Sequence, residues 1–395
     1  VSFLRGLPRT FWALWVGSLV NRLGTFLQPF LGLYLTSARD LSPARAGTVV
    51  ALLGAGSIAS QPIGGHLADR LGRRPTLVVA MLSTAACIVA LALARPLGLI
   101  ALCALAVGVT GDMYRPAALA TVADVVPAAD QRRAGALLFW AINLGFGIAG
   151  VLGGLLAEHG YGLLFALDAA TCAAYAALVW RAVPETRPAV ARQHDAPGWR
   201  AVLADRLAMS LFGLNVTATL AYATMFTIFP LAMQADGFSP ATYGAVAAVN
   251  GLLIVVASPP AAPWLMRHRP APVFAAGTLL IGAAMLIVAA TDALGGYVAA
   301  IVLLTIGEIA SANATGGLIG EIAPAALRGR YAGAFGLTYG IAYTITPLVG
   351  GALLGDGSAA APWVLAAAVA VLSAGGLLAI GPALEARRSA MGAAV

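Results

Sequence analysis

The sequence predicts an all-α membrane protein with twelve transmembrane helices in two pseudo-symmetric six-helix bundles. Three observations predict it: an apolar, charge-poor composition, twelve apolar runs long enough to cross a bilayer, and an internal repeat that maps the first six runs onto the last six. Of 395 residues, 60% are hydrophobic and only 10% are charged, with a mean hydropathy of +0.89. A soluble domain carries roughly 25% charged residues, so this chain has too few to wet the surface of a fold its size, and lipid must be its main solvent. The net charge of +7 comes from arginines alone. They sit in short gaps between apolar runs and form no single patch, which argues against nucleic acid as a partner. Cys87, Cys103 and Cys172 lie inside apolar runs without metal-ligand spacing, as small buried hydrophobes do. No metal or cofactor is expected.

A membrane helix needs roughly 20 apolar residues, at a rise of about 1.5 Å each across about 30 Å of hydrocarbon. Runs of that kind occupy 10–36, 44–66, 75–94, 97–125, 134–157 and 162–180, then 207–234, 241–266, 271–291, 295–322, 330–354 and 362–383. Arg5 and Arg9 precede the first run, which is too long for a cleaved signal peptide and is followed by many others. The longest polar stretch, 181–206, holds five arginines and three prolines. It reads as a linker between a first half, 1–180, and a second half, 207–395.

With the N-terminus inside, eighteen arginines fall on inside segments, three (Arg39, Arg45 and Arg95) outside, and two (Arg22 and Arg115) within spans. The positive-inside rule then places both termini and the linker in the cytoplasm. The repeat appears at a shift of about 197 residues. Ser42-Pro43 falls on Ser239-Pro240, Gly47 on Gly244, Pro62 on Pro259, Asp124 on Glu321 and Gly153-Gly154 on Gly350-Gly351. Gly111-Asp112 meets Gly307-Glu308 with one residue of slippage. Two parallel repeats about an axis along the membrane normal are a transporter architecture.

Gly65-His66-Leu67-Ala68-Asp69-Arg70-Leu71-Gly72-Arg73-Arg74, after the second span, resembles the G-x-L-a-D-r-x-G-r-[rk] signature of the major facilitator superfamily. Together with the spans and the repeat, the resemblance covers the whole chain. Gly65 and Gly72 read as positions of close approach and tight turning. Asp69 is an anion at the unfavourable end of its helix dipole and needs donors elsewhere. The resemblance implies a conformational latch made of Gly65, Asp69, Arg70, Gly72 and Arg73, with Arg73 pairing Asp124. The second-half equivalent, Trp264 to Arg269, has lost the pattern, so the latch is expected on one side only. In the fifth span, Gly145 to Gly154 resembles the superfamily's antiporter element G-x-x-x-G-P-x-x-G-G, with Ala149-Gly150 in place of Gly-Pro. Gly150, Gly153 and Gly154, with Pro347, Gly350 and Gly351 of the eleventh span, are expected to pack helices closely.

A charge at mid-bilayer costs about 2.5–3.5 kcal/mol on insertion scales, so intramembrane charges face a cavity or a partner. Arg22 follows Asn21 in the first span. Asp112 and Arg115 lie three apart in the fourth, on one helix face. Glu308 is in the tenth, at the repeat position of Asp112, without a helical neighbour of opposite charge. Glu308 and Asp112 are the expected proton-coupling acids, with Arg22 and Arg115 as counter-charges or anion hooks. A permanent Asp112–Arg115 salt bridge is the alternative. Asp168, near the end of the sixth span, is expected to snorkel to the interface. Phe26, Tyr114, Tyr222 and Tyr339 are candidates for substrate packing. The superfamily's R-x-x-x-G motif of the fourth span is absent.

The resemblance implies a bacterial inner-membrane, proton-coupled exporter of amphipathic small molecules, driven by the proton gradient, monomeric, and not an enzyme. The alternative is a proton-coupled importer of small metabolites or peptides, although Ser18 and Asn21 replace the glutamates of the peptide symporters' E-x-x-E-R motif. No G-x-x-x-x-G-K-[ST] sequence supports ATP-driven transport.

Overall fold

The computed structural model describes residues 6–127, 130–187, 199–324 and 327–393, and all regular structure among them is helical. The chain divides into two compact units. One comprises Val1–Leu41, Thr48–Arg192 and Gly237–Leu252; the other comprises Ser42–Gly47, Gln193–Asp236 and Leu253–Val395. Much of the 181–206 segment (188–198) lies outside the described residues.

Helices of the first half are α1 (Arg9–Leu23), α2 (Leu27–Leu33, running on as a π-helical turn, Tyr34–Ala38), α3 (Pro43–Arg70), α4 (Arg73–Leu93), α5 (Leu97–Gly111), α6 (Tyr114–Val125), α7 (Gln131–Ala157) and α8 (Tyr161–Ala182). A short α9 (Trp199–Leu203) leads to α10 (Arg206–Thr227), α11 (Phe229–Ala235), α12 (Pro240–Leu265), α13 (Pro270–Ala289), α14 (Leu294–Ile322), α15 (Arg328–Gly355) and α16 (Ala361–Ala393). Proline opens α3, α12 and α13, where its missing N–H is not needed. Among the described residues, 11 spans are long and apolar enough to cross a membrane, with α5–α6 and α10–α11 each counted as one.

The expected first span is the exception. It breaks at Gly24-Thr25-Phe26 into a 15-residue α1 and a seven-residue α2. The fourth and seventh spans break at Asp112-Met113 and Ile228. Each break is followed by a proline in the next first turn: Pro29, Pro116 and Pro230. A proline lacks an N–H and its ring clashes with the carbonyl four residues back, here Thr25, Asp112 and Phe226. Proline alone does not suffice, because Pro62 and Pro347 lie inside unbroken helices.

Each unit has its own core. Phe11, Leu14, Leu77, Met81 and Tyr175 are buried together in the first; Phe212, Leu318, Tyr331, Phe335 and Leu377 are buried together in the second. Leucines such as Leu93, Leu102 and Leu372 are exposed, as side chains that face lipid must be.

Candidate functional site

The breaks place the charged residues. In the first unit a cavity of about 100 Å³ is lined by Arg22, Asp112, Asp168, Asn21, Thr84 and Cys172, among others. Arg22, at the end of α1, is 9% exposed and donates from Nη2 to the Tyr114 hydroxyl at 3.0 Å. Gly145 of α7 makes room for it, since a β-carbon there would lie 2.6 Å from the Arg22 Cβ. Asp112 is the C-cap of α5, and its carboxylate meets Arg115 Nε at 2.7 Å across the break. The pair therefore spans two helices rather than one continuous face. The Asp112 amide donates to Ser60 Oγ at 3.1 Å, which holds the broken turn against α3.

The Asp168 side chain does not reach outward as snorkelling requires; it is 4% exposed. Its Oδ2 accepts the backbone N–H groups of Phe26 (3.2 Å) and Leu27 (3.1 Å) at the start of α2, the Phe26 N–H being shared with the Gly24 carbonyl at 2.8 Å. Sequence reasoning missed it because the break that supplies these donors was not foreseen; Pro29 was the available signal. Asn21 donates to Cys172 Sγ at 3.3 Å. Phe26 is 3% exposed, and a β-carbon on Gly153 would sit 2.9 Å from its ring, so its face is used in packing.

In the second unit, Glu308 of α14 accepts the Tyr222 hydroxyl of α10 at 2.8 Å. Tyr339 and Tyr343 of α15 lie within electrostatic reach of this pair. The ring of Tyr222 stands 4.9 Å from that of Phe226, and Tyr339 is 41% exposed. The neighbour absent from the Glu308 helix is thus a phenol from another helix.

At the ends of the helices, Gly72 has φ +107°, a left-handed backbone that suits only glycine, and a β-carbon there would lie 2.5 Å from the Glu185 carboxylate. Glu185, unremarked in the sequence, accepts the first amides of α4, from Arg73 (2.9 Å) and Arg74 (3.2 Å). The Arg73 guanidinium lies 3.3 Å from Asp124 and 3.5 Å from Asp69. Arg70 supplies its carbonyl to Arg187 at 2.7 Å. The close approach expected at Gly65 belongs to its neighbour. A β-carbon on Gly64 would strike the Met113 carbonyl, whereas one on Gly65 would lie 4.0 Å from Pro116.

The second half has an ion pair of its own at the repeat position of Asp124. Glu321, the repeat partner of Asp124, is 3% exposed and pairs with Arg388 at 3.1 Å. The arginine comes from α16 and not from the lost loop. Asp205 accepts the Tyr331 hydroxyl at 2.6 Å and the Ala208 amide at 3.2 Å, and pairs with Arg387 at 2.7 Å. Burial alone would raise the Asp205 carboxyl; the donors from Tyr331, Ala208 and Arg387 outweigh it and hold the group below the ordinary carboxylate range.

The small residues lie where backbones touch. A β-carbon on Gly150 would sit 3.0 Å from the Gly244 carbonyl, and one on Gly154 would sit 2.6 Å from that of Pro240. Gly351 meets Pro43 in the same way at 2.7 Å, Gly350 faces Ile228, and the Pro347 carbonyl lies against Gly47.

The family model described as Major Facilitator Superfamily matches residues 14–236 and 211–392. Multidrug resistance protein MdtH of Klebsiella pneumoniae (strain 342) is 27% identical over 83% of this chain and 82% of that protein. A Na(+), Li(+), K(+)/H(+) antiporter of Planococcus maritimus is 23% identical over 81% and 83%. The fold is also similar to a solved peptide transporter POT in complex with sulfate, at TM-score 0.80 and 17% identity over 96% of each chain.

Proposed function

Because this chain belongs to the major facilitator superfamily and is a multi-pass membrane transporter, we propose that it exports amphipathic small molecules in exchange for protons, by alternating access. The observation that carries the reading is Glu308, a carboxyl in an apolar spanning helix whose hydrogen-bond partner is a neutral phenol at 2.8 Å. The phenol's donated hydrogen bond is the contact that a change of protonation at Glu308 would alter. A substrate that disturbs Tyr222 or Tyr339 would change which form is favoured. The half-exposed Tyr339 and the ring of Tyr222 offer a flat apolar surface for such a substrate. Similarity to a multidrug resistance protein and to a proton antiporter supports export. In this reading the chain forms twelve spans, with the broken α1–α2 segment as the first. It lies in a bacterial inner membrane with both termini cytoplasmic, works as a monomer and needs no cofactor beyond the proton gradient.

A second reading, uptake of a small metabolite or peptide, draws on Arg22. This buried guanidinium lines the first-unit cavity and has an Nε donor without a hydrogen-bond partner among the described residues. Such a donor suits a carboxylate on the solute.

The test uses proteoliposomes with ethidium as probe. Glu308→Gln is expected to abolish pH-gradient-driven ethidium flux while equilibrium binding persists, and undiminished flux would overturn the assignment. Accumulation of dipeptides down the proton gradient, with no ethidium flux, would favour the second reading.

A further inference from the structure

We propose that Asp168 is a proton-binding carboxylate of the first unit, whose ionised form braces the break between α1 and α2. The proposal rests on the reading of the protein as proton-coupled. Four observations carry it. The carboxylate is 4% exposed and, among the described residues, is in no ion pair. Its Oδ2 is engaged by two backbone amides, at 3.2 and 3.1 Å. Its Oδ1 lies 4.0 Å from Cys172 Sγ. It borders the same cavity of about 100 Å³ as Asp112 and the open Nε of Arg22. At about 30 Å³ per molecule, that cavity has room for about three waters, and its polar lining would hold them.

Each group has a role. Asp112 is tied to Arg115 at 2.7 Å, which leaves Asp168 as the acid of the cavity without a fixed cation. The charged and titratable groups facing it are Arg22 from α1, Cys172 from its own helix, and Asp112 across the cavity. α4 contributes only Met81, Thr84 and Ile88 to the lining and α7 contributes nothing. A proton arriving through the cavity binds Oδ1 and forms the O–H bond there, with no bond in the chain broken. Oδ2 keeps both amides but accepts them as a neutral carbonyl, and such hydrogen bonds are roughly half as strong as those to an ion. The loss falls on Leu27, the first residue of α2, and in part on Phe26, whose N–H also donates to the Gly24 carbonyl at 2.8 Å. Proton binding would therefore loosen α2 at its hinge. Gly24 keeps that hinge packed, since a β-carbon there would run into Thr171, one turn from Asp168.

The full chain in lipid vesicles is examined by infrared difference spectroscopy across an acid-to-alkaline step, with hydrogen exchange of the Phe26 and Leu27 amides followed at the same two pH values. The expected result is a protonated-carboxyl band that is absent from Asp168→Asn, shifted in Asp168→Glu, and retained in Asp112→Asn and Glu308→Gln. The two amides should exchange several-fold faster at acid pH, after correction for intrinsic rates, and this pH dependence should vanish in Asp168→Asn. The asparagine carbonyl can still accept both amides, so a merely structural cap would survive the substitution with every band in place. An unchanged band in Asp168→Asn overturns the proposal. None of these readouts needs a transported solute, so normal flux in Glu308→Gln would sink the proposed function and leave the Asp168 assignment to be decided by its own bands.

Discussion

Removing the carboxylate of Asp124 should cost the fold far more than removing that of Asp69, although both lie within ion-pair distance of Arg73. The separations barely differ, 3.3 and 3.5 Å, but the Asp124 side chain is 26% exposed and that of Asp69 is 79%. Water screens the Asp69 pair, and exposed pairs of this kind contribute about 0–1 kcal/mol. The Asp124 pair is shielded, Arg73 is itself only 13% exposed, and a shielded ion pair is screened less than an exposed one. Asp124 also accepts the Thr186 hydroxyl at 3.0 Å, so a single substitution there overstates the arginine's share. A double-mutant cycle with Arg73→Gln isolates it. Reversible unfolding in mixed detergent–SDS micelles, followed by circular dichroism, should give a coupling of about 1–2 kcal/mol for Asp124–Arg73 and at most about 0.5 kcal/mol for Asp69–Arg73. Equal couplings, or a larger one for Asp69, would refute the argument from burial.

One pH effect and one burial effect are expected in the second half. Asp205 titrates below its unfolded value, so the stability it contributes is complete above the ordinary aspartate range and is lost as pH falls through its lowered folded value. Arg387→Ala should therefore speed hydrogen exchange in the first turn of α10 at neutral pH, with the difference from wild type vanishing in acid. Glu321 is 3% exposed and pairs with Arg388 at 3.1 Å. At neutral pH, Arg388→Ala strands a buried anion and should cost about 1–3 kcal/mol, whereas Glu321→Gln should cost less. The reverse order in unfolding titrations would contradict this. In the first half, Gly153→Leu should lower the unfolding temperature by several degrees, because its side chain would run into Phe26 and Phe30.

The sequence by itself determined the membrane solvent, nearly all of the spans, the repeat and the family. These follow from one-dimensional quantities: run length, charge content, and glycine and proline spacing. It also marked Arg22, Asp112, Arg115 and Glu308, because a charge within an apolar run stands out whatever it touches. Tertiary structure decided the partners. The Tyr222 phenol lies 86 residues from Glu308, and the donors to Asp168 come from amides 142 and 141 residues away. They point at the carboxylate because the chain breaks before Pro29. Glu185 at the α4 cap and Arg388 on Glu321 were equally invisible, since their partners lie 112 and 67 residues away in the chain. Composition and period are summed along the chain, whereas an ion pair or a cap depends on which distant segments the packing brings within about 3 Å.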